Sequence, residues 1–164
     1  MLTVYIPVGI SGSGKSRYYK KVLKTQDSKI KKICPDDIRK KFTGDCSDQS
    51  MNMDVWMEAY HELEDFVSKK QSVFFSSTNL SIKSITKIID TVTAITSKVA
   101  FKILVLSDSN NEELCRQRVK TDLENGVDRS NTLKLVDNLD GHLLDYDYVH
   151  KQFLDFQEVK IKFF

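Results

Sequence analysis

Gly9-Ile10-Ser11-Gly12-Ser13-Gly14-Lys15-Ser16 fits the pattern G-x-x-x-x-G-K-[ST] at every fixed position, and no other stretch of the chain restricts the fold as tightly. Glycine accepts the left-handed backbone that lets successive N–H groups converge on one anion. The pattern follows a short apolar run, Leu2 to Val8, and precedes a helical stretch from Ser16 to Leu23 with Tyr19, Val22 and Leu23 on one face. This is the strand–loop–helix order that the chemistry needs, because the new helix aims its positive end at the same anion. A nucleoside triphosphate is expected on the loop, with Ser11, Gly12, Ser13, Gly14, Lys15 and Ser16 around its phosphates. Lys15 should reach the β- and γ-phosphates, and the Ser16 hydroxyl should hold Mg²⁺.

The loop alone fits kinases, GTPases, ATPases and motor domains. No Asn-Lys-x-Asp guanine signature occurs, and 164 residues leave no room for a second ATPase half. A chain of this length favours a small phosphotransferase, which needs an acceptor pocket, a base and cations to clamp the moving phosphoryl group. With only 6 Gly and 2 Pro, no long linker is expected, and residues 1–164 read as a single domain. The opening apolar run is too short for a membrane span and lacks the basic start of a secretory signal. Cys34, Cys46 and Cys115 are odd in number and have no metal-ligand spacing, so reduced thiols in a cytoplasmic protein are expected. Charge is lopsided: residues 1–41 carry 11 Lys and Arg against 3 Asp, while the rest of the chain is net acidic. A phosphate-rich ligand and a solvated lysine surface both fit this distribution.

Apolar patterning predicts strands at Leu2–Val8, Ile30–Cys34, Val73–Phe75 and 99–107, with Val159, Ile161 and Phe163 alternating like a last one. Between them lie an amphipathic helix over 53–69 and a long helix marked by Ile82, Ile85, Ile88, Ile89, Val92 and Ile95. Ser109 to Glu112 reads as a capping box opening a helix to about Glu124, stopped by Gly126, and a short helix should cover about 131–140. Strands alternating with helices imply an α/β fold of three layers, a roughly five-stranded parallel sheet flanked by helices.

Cys34-Pro35-Asp36-Asp37-Ile38-Arg39 falls just after the second strand, at the sheet edge where open α/β sheets bind ligands. Asp36 and Arg39 are three apart in a first helical turn and can share a face. The carboxylate can take a proton from an acceptor hydroxyl, and the arginine can grip an acceptor phosphate. Ordinary helix chemistry also places acids there, and both readings stay open.

The loop, the Asp-Asp-x-Arg segment and Ser76-Ser77-Thr78-Asn79-Leu80 occur in an order that resembles the kinase domain of phage-type 5′-hydroxyl polynucleotide kinases, over roughly residues 2–140. The resemblance implies a P-loop kinase fold, similar in core to adenylate kinases, and transfer of the γ-phosphate of ATP to a DNA or RNA 5′ end. It implies that Asp36 is the general base, that Arg39 binds the acceptor phosphate, that Thr78 and Asn79 are the substrate-binding residues after the third strand, and that Lys15 and Ser16 meet ATP and metal. If phage-encoded, the protein would work in the host-cell cytoplasm. One position departs: Ser77 stands where the family has an acidic residue that helps to hold the arginine, which puts the orientation of Arg39 in question.

The family also places lid arginines after the fourth strand. Arg116, Arg118 and Lys120 are candidates within a lid of about 110–130, with Arg129 beyond. Arg118 is preferred as the phosphate clamp because it shares one helical stripe with Leu114 and Asp122, and Arg116 is nearly as good. Trp56, Tyr60 and Phe66 recur along one helix, where core packing outweighs base stacking as an explanation. His61, His142 and His150 lack any metal spacing. Tyr146, Tyr148 and Phe153 are candidates to cover the adenine, and Asp137 to Asp147 reads as a solvated acidic face. Two alternatives stand beside the polynucleotide reading: a small-molecule or nucleoside kinase using the same loop and carboxylate, and a nucleotide-binding module that no longer catalyses.

Overall fold

The structure, a computed structural model, describes residues 1–127 and 156–159. Strands β1 (Leu2–Val8), β2 (Lys31–Ile33), β3 (Val73–Phe75), β4 (Val99–Leu106) and β5 (Phe156–Val159) form one parallel sheet in the order β2-β3-β1-β4-β5. β1 is central. It pairs with β4 over its whole length, from Leu2↔Val99 to Val8↔Val105, and with β3 through Val4↔Val73.

Side chains alternate across these strands, so one residue in two feeds each layer. Val4, Ile6 and Val8, with Val73, Phe75, Ile103 and Val105, meet Val55, Ala59, Leu63 and Val67 of α4 (Asn52–Ser68) and Ile85, Ile88 and Val92 of α5 (Ile82–Thr93). On the opposite face Phe74, Leu104 and Leu106 meet Tyr19, Leu23 and Ile30. All three residues of β3 are fully buried, as a strand covered on both sides requires. The three-layer α/β arrangement follows.

The helical run after the loop is not uniform. α1 (Lys15–Tyr18) passes into a π-helical turn (Tyr19–Leu23) and then into α2 (Lys24–Gln26). Both residues that this turn buries, Tyr19 and Leu23, belong to the sheet-facing core. α3 (Pro35–Thr43) starts with Pro35, whose missing N–H is no loss in a first turn, and ends at Gly44 with φ 82°.

Three element boundaries depart from the sequence expectations. α5 stops at Thr93, so Ile95 falls outside it and is exposed. α6 (Glu112–Glu124) is capped by Asn111, whose side chain accepts from the Leu114 N–H at 3.0 Å, rather than by Ser109. The cap moves because residues Ser107–Asn110 first wind into a 3₁₀ turn. The last strand is Phe156–Val159, upstream of the expected alternation, whose remaining residues lie outside the described ones, as does the expected helix at 131–140. Among the described residues no helix is long and apolar enough to cross a membrane.

Candidate active site

The carboxyl ends of β1, β2 and β3, together with α6, open onto one cleft of about 1350 Å³. Eight cationic side chains line it (Lys15, Arg17, Lys20, Lys21, Lys32, Arg39, Lys40 and Arg118) against three carboxylates, Asp36, Asp37 and Asp122. The basic front of the sequence is therefore concentrated at this edge, where it favours a polyanion.

The loop after β1 is curled by Gly12 and Gly14, at φ +83° and +102°. Gly14 sits immediately before α1, so the loop leads directly into a helix N-terminus. Gly12 is required for a second reason: a Cβ there would fall onto the backbone carbonyl of Cys115 in α6. Lys15 Nζ donates to the carbonyls of Gly9 and Ile10 at 2.7 and 2.8 Å, which holds the ammonium across the curl. Ser11, Gly12, Gly14, Lys15 and Ser16 line the cleft, whereas Ser13 is buried with its hydroxyl unpartnered in the protein. The donor set fits a nucleotide phosphate: a left-handed backbone curl, a lysine across it and a helix start behind. The exposed Ser16 hydroxyl at that start is the side chain placed to hold a magnesium ion beside the phosphates.

A second wall of the cleft is built by α3. Arg39 is only 4% exposed, yet its guanidinium lines the cleft. Its Nη1 donates to Asp36 Oδ1 at 2.5 Å and to the Cys46 carbonyl at 3.3 Å, and its Nη2 donates to Asn52 Oδ1 at 3.1 Å. The buried Nε has no partner in the protein. Ser77 is not among these partners; Asp36, the Cys46 carbonyl and Asn52 orient the arginine instead. Asp36 keeps close to half of its side chain exposed toward the cleft. A carboxylate held on one side and accessible on the other is the arrangement a general base needs.

Thr78 lines the cleft, but Asn79 does not. Asn79 is 3% exposed, adopts φ +48° and donates from Nδ2 to the carbonyls of Pro7, Phe75 and Ser77 at 2.8, 3.2 and 3.3 Å. It is placed as a staple rather than as a substrate contact. Asparagine is among the few side chains that tolerate this backbone region. The Gly9 N–H donates to the Thr78 carbonyl at 3.0 Å, so the ends of β1 and β3 are tied twice.

The two lid candidates separate. Arg118 lines the cleft and its Nη1 donates to the Gly12 carbonyl at 3.1 Å and to Asp108 Oδ2 at 3.0 Å. Arg116 pairs instead with Glu112, one turn back, at 2.6 Å and is not part of the lining. Lys120 is exposed and does not line the cleft, and Arg129, Tyr146, Tyr148, Phe153, His142, His150 and the acidic stretch lie outside the described residues. His61 is on the surface of α4, beside Glu58.

Cys34 lines the cleft, and burial pushes its thiol above the ordinary range. Burial also pushes the Cys115 thiol up to about 11. Both thiols are therefore poor thiolates at neutral pH. Trp56 is half-buried and lines the cleft beyond Asn52, whereas Tyr60 and Phe66 do not. Sequence reasoning missed Asn52 and Asp108. Only the position of Asp108, just past a strand's carboxyl end, offered a signal.

The profile of the AAA_33 family, described as an AAA domain, matches residues 4–139. No curated protein matches the sequence. Among solved structures, a chain of "Structure of the Pnkp1/Rnl/Hen1 RNA repair complex" is similar at TM-score 0.71 and 21% identity, over 93% of this chain and 46% of that one. A second Pnkp1/Rnl/Hen1 complex gives TM-score 0.53 at 23% identity, over 62% of this chain and 35% of that one. A fungal RNA kinase gives TM-score 0.56 at 16% identity, over 98% of this chain and 74% of that one. This chain thus spans less than half the length of the two Pnkp1/Rnl/Hen1 chains that it matches.

Proposed function

Because the chain belongs to the AAA_33 family of AAA domains and has the P-loop kinase fold, we propose that it is an ATP-dependent phosphotransferase acting on the 5′-hydroxyl of a DNA or RNA end. The observation that carries this reading is the Asp36–Arg39 pair, facing the phosphate loop across one basic cleft. A base for a hydroxyl and a cation for a neighbouring phosphate, side by side, suit an acceptor that carries both groups. Two of the fold relatives are described as parts of an RNA repair complex and as an RNA kinase, which supports the same acceptor class.

In this reading the loop N–H groups, Lys15 and Arg118 bind the triphosphate and meet the charge that spreads over the moving phosphoryl group. When bound, Mg²⁺ neutralises phosphate oxygens, and Ser16 is the residue that would hold it. Asp36 accepts the proton of the acceptor hydroxyl, and Arg39, fixed by Asn52, takes the acceptor phosphate. Thr78 lies between the two halves. Asp108 positions Arg118 from the end of β4. Residues 1–164 act as one kinase domain, with α6 in its lid.

The test is γ-labelled ATP with Mg²⁺, offered to 5′-hydroxyl DNA and RNA oligomers, nucleosides, nucleotides and sugars, with Lys15→Ala as the blank. Label on the oligomers is the expected result. Label on a nucleoside or sugar alone would make this a small-molecule kinase, and nucleotide binding without transfer would make it an inactive module. Binding of the oligomer should also weaken steeply with salt, because Arg39 and the surrounding lysines displace counterions.

A further inference from the structure

The lining of the cleft includes one aromatic side chain, Trp56, beside the residues that hold Arg39. Trp56 sits one helical turn beyond Asn52 on α4, and both line the same cavity. Residues four apart on a helix share a face, so the indole continues the surface that starts at the Arg39–Asn52 hydrogen bond. The indole is also backed: its ring lies 6.4 Å from that of Tyr60, which lies 5.6 Å from that of Phe75 at the end of β3. Lys87 Nζ sits over the Tyr60 ring, 4.3 Å from its centre. Phe75 is fully buried and Tyr60 half-buried, so the outermost ring is packed against rings anchored in the core. Gln49 adds an uncharged polar side chain to the lining of the same cleft.

We propose that Trp56 is a stacking platform for a nucleobase within the first two nucleotides of the acceptor's 5′ end. The inference rests on the polynucleotide reading above and goes beyond it by assigning a base-binding subsite. An aromatic face accepts any base, because every base has a π surface, so the site favours nucleic acid over a sugar or other non-aromatic alcohol without selecting sequence. Asp36, Arg39 and Trp56 then read hydroxyl, phosphate and base in turn along one strand end.

Trp56 is the only tryptophan in the chain, which makes intrinsic fluorescence a direct reporter. The protein is titrated with a 3′-labelled 5′-hydroxyl oligonucleotide, following label anisotropy and tryptophan emission together, beside an oligonucleotide abasic at its first two positions. The expected result is saturable quenching that tracks the anisotropy with the intact strand and is absent with the abasic one. Phosphoryl transfer should prefer the intact strand by roughly tenfold in kcat/KM, a stacking-sized effect. That preference is a ratio within one protein, so it does not depend on how much of a variant folds: Trp56→Phe should keep most of it and Trp56→Leu should bring it close to unity. Binding seen by anisotropy without any change in emission, or a preference that survives in Trp56→Leu, would overturn the platform and leave the kinase reading standing. No anisotropy change with either strand would remove the polynucleotide acceptor and the platform with it.

Discussion

Arg39 reaches out of α3 to the side-chain oxygen of Asn52, 3.1 Å away in the first turn of α4, while its other terminal nitrogen holds Asp36. Replacing the asparagine by Leu strands a buried guanidinium N–H, which costs about 1–3 kcal/mol. Asn52→Leu should therefore lower the melting temperature and raise the acceptor KM several-fold, with the KM for ATP unchanged. Equal changes in both constants would show that Asn52 does not act through the acceptor arginine.

Lys15 and Asp36 belong to opposite walls of the cleft, and their variants should fail in different ways. Lys15→Ala removes a phosphate contact, so both transfer and nucleotide binding should be lost. Asp36→Asn should keep nucleotide binding and lose transfer by about 10²–10⁴-fold, the scale of a general base. Calorimetry with a non-hydrolysable ATP analogue beside the transfer assay separates the two, and near-normal transfer by Asp36→Asn would remove that carboxylate from the mechanism.

The lid arginines are distinguished by where their hydrogen bonds go. Arg118 is bonded to the phosphate loop, so Arg118→Ala should cost about 10³-fold or more in kcat, as loss of an arginine contact to the transferring group does. Arg116 pairs with Glu112 on its own helix, and Arg116→Ala should change kcat by less than about threefold, since exposed ion pairs contribute little. Asp108→Asn should fall between these values, because it keeps the shape of the Arg118 partner and loses its charge.

Gly12→Ala should be among the most damaging single changes. Its backbone is left-handed, which costs an L-residue about 1–2 kcal/mol, and the new methyl group meets a backbone carbonyl that no rotamer can move. Nucleotide binding should be abolished and the melting temperature lowered. Gly44→Ala, also left-handed but facing open space, should lower only the melting temperature.

Alkaline pH should loosen the packing of α6 on the loop. The folded state holds the Cys115 proton up to about pH 11, whereas an unburied thiol releases it near 9.0. Its contribution to stability is whole below the lower value and fades as pH rises toward the upper one. Melting curves between these limits should show the wild type losing roughly 3 °C or more beyond the loss in Cys115→Ala. Parallel curves would rule out Cys115 as a source of alkaline sensitivity.

Much of this architecture was legible because its signals are local. The glycines that bend the loop, Pro35 at the start of α3 and the helical recurrence of Val55, Trp56, Tyr60, Leu63, Phe66 and Val67 each act within a few neighbouring positions. Asp36 and Arg39 could be paired from sequence for the same reason, being one helical turn apart. What escaped depends on contacts across the chain. The bond from Arg118 to Gly12 spans 106 residues, and the one from Asn79 to Pro7 spans 72. Asn79, expected to face the acceptor, turned out to be placed by its left-handed backbone into the sheet edge, and no spacing rule announces that. The shift of the α6 cap from Ser109 to Asn111 is a smaller example: both residues can cap, and the 3₁₀ turn ahead of them decides.

The buried amide of Asn79 has a mechanical consequence. By clasping the Pro7 carbonyl near the end of β1 and the Phe75 carbonyl at the end of β3, it makes the strand under the phosphate loop and its neighbour a single rigid block. The gap between donor and acceptor is then set by the width of the sheet and leaves little for loop motion to adjust. Tolerance for bulkier or shorter acceptors must come from the helical walls, α3, α4 and α6, which lean over that block from outside.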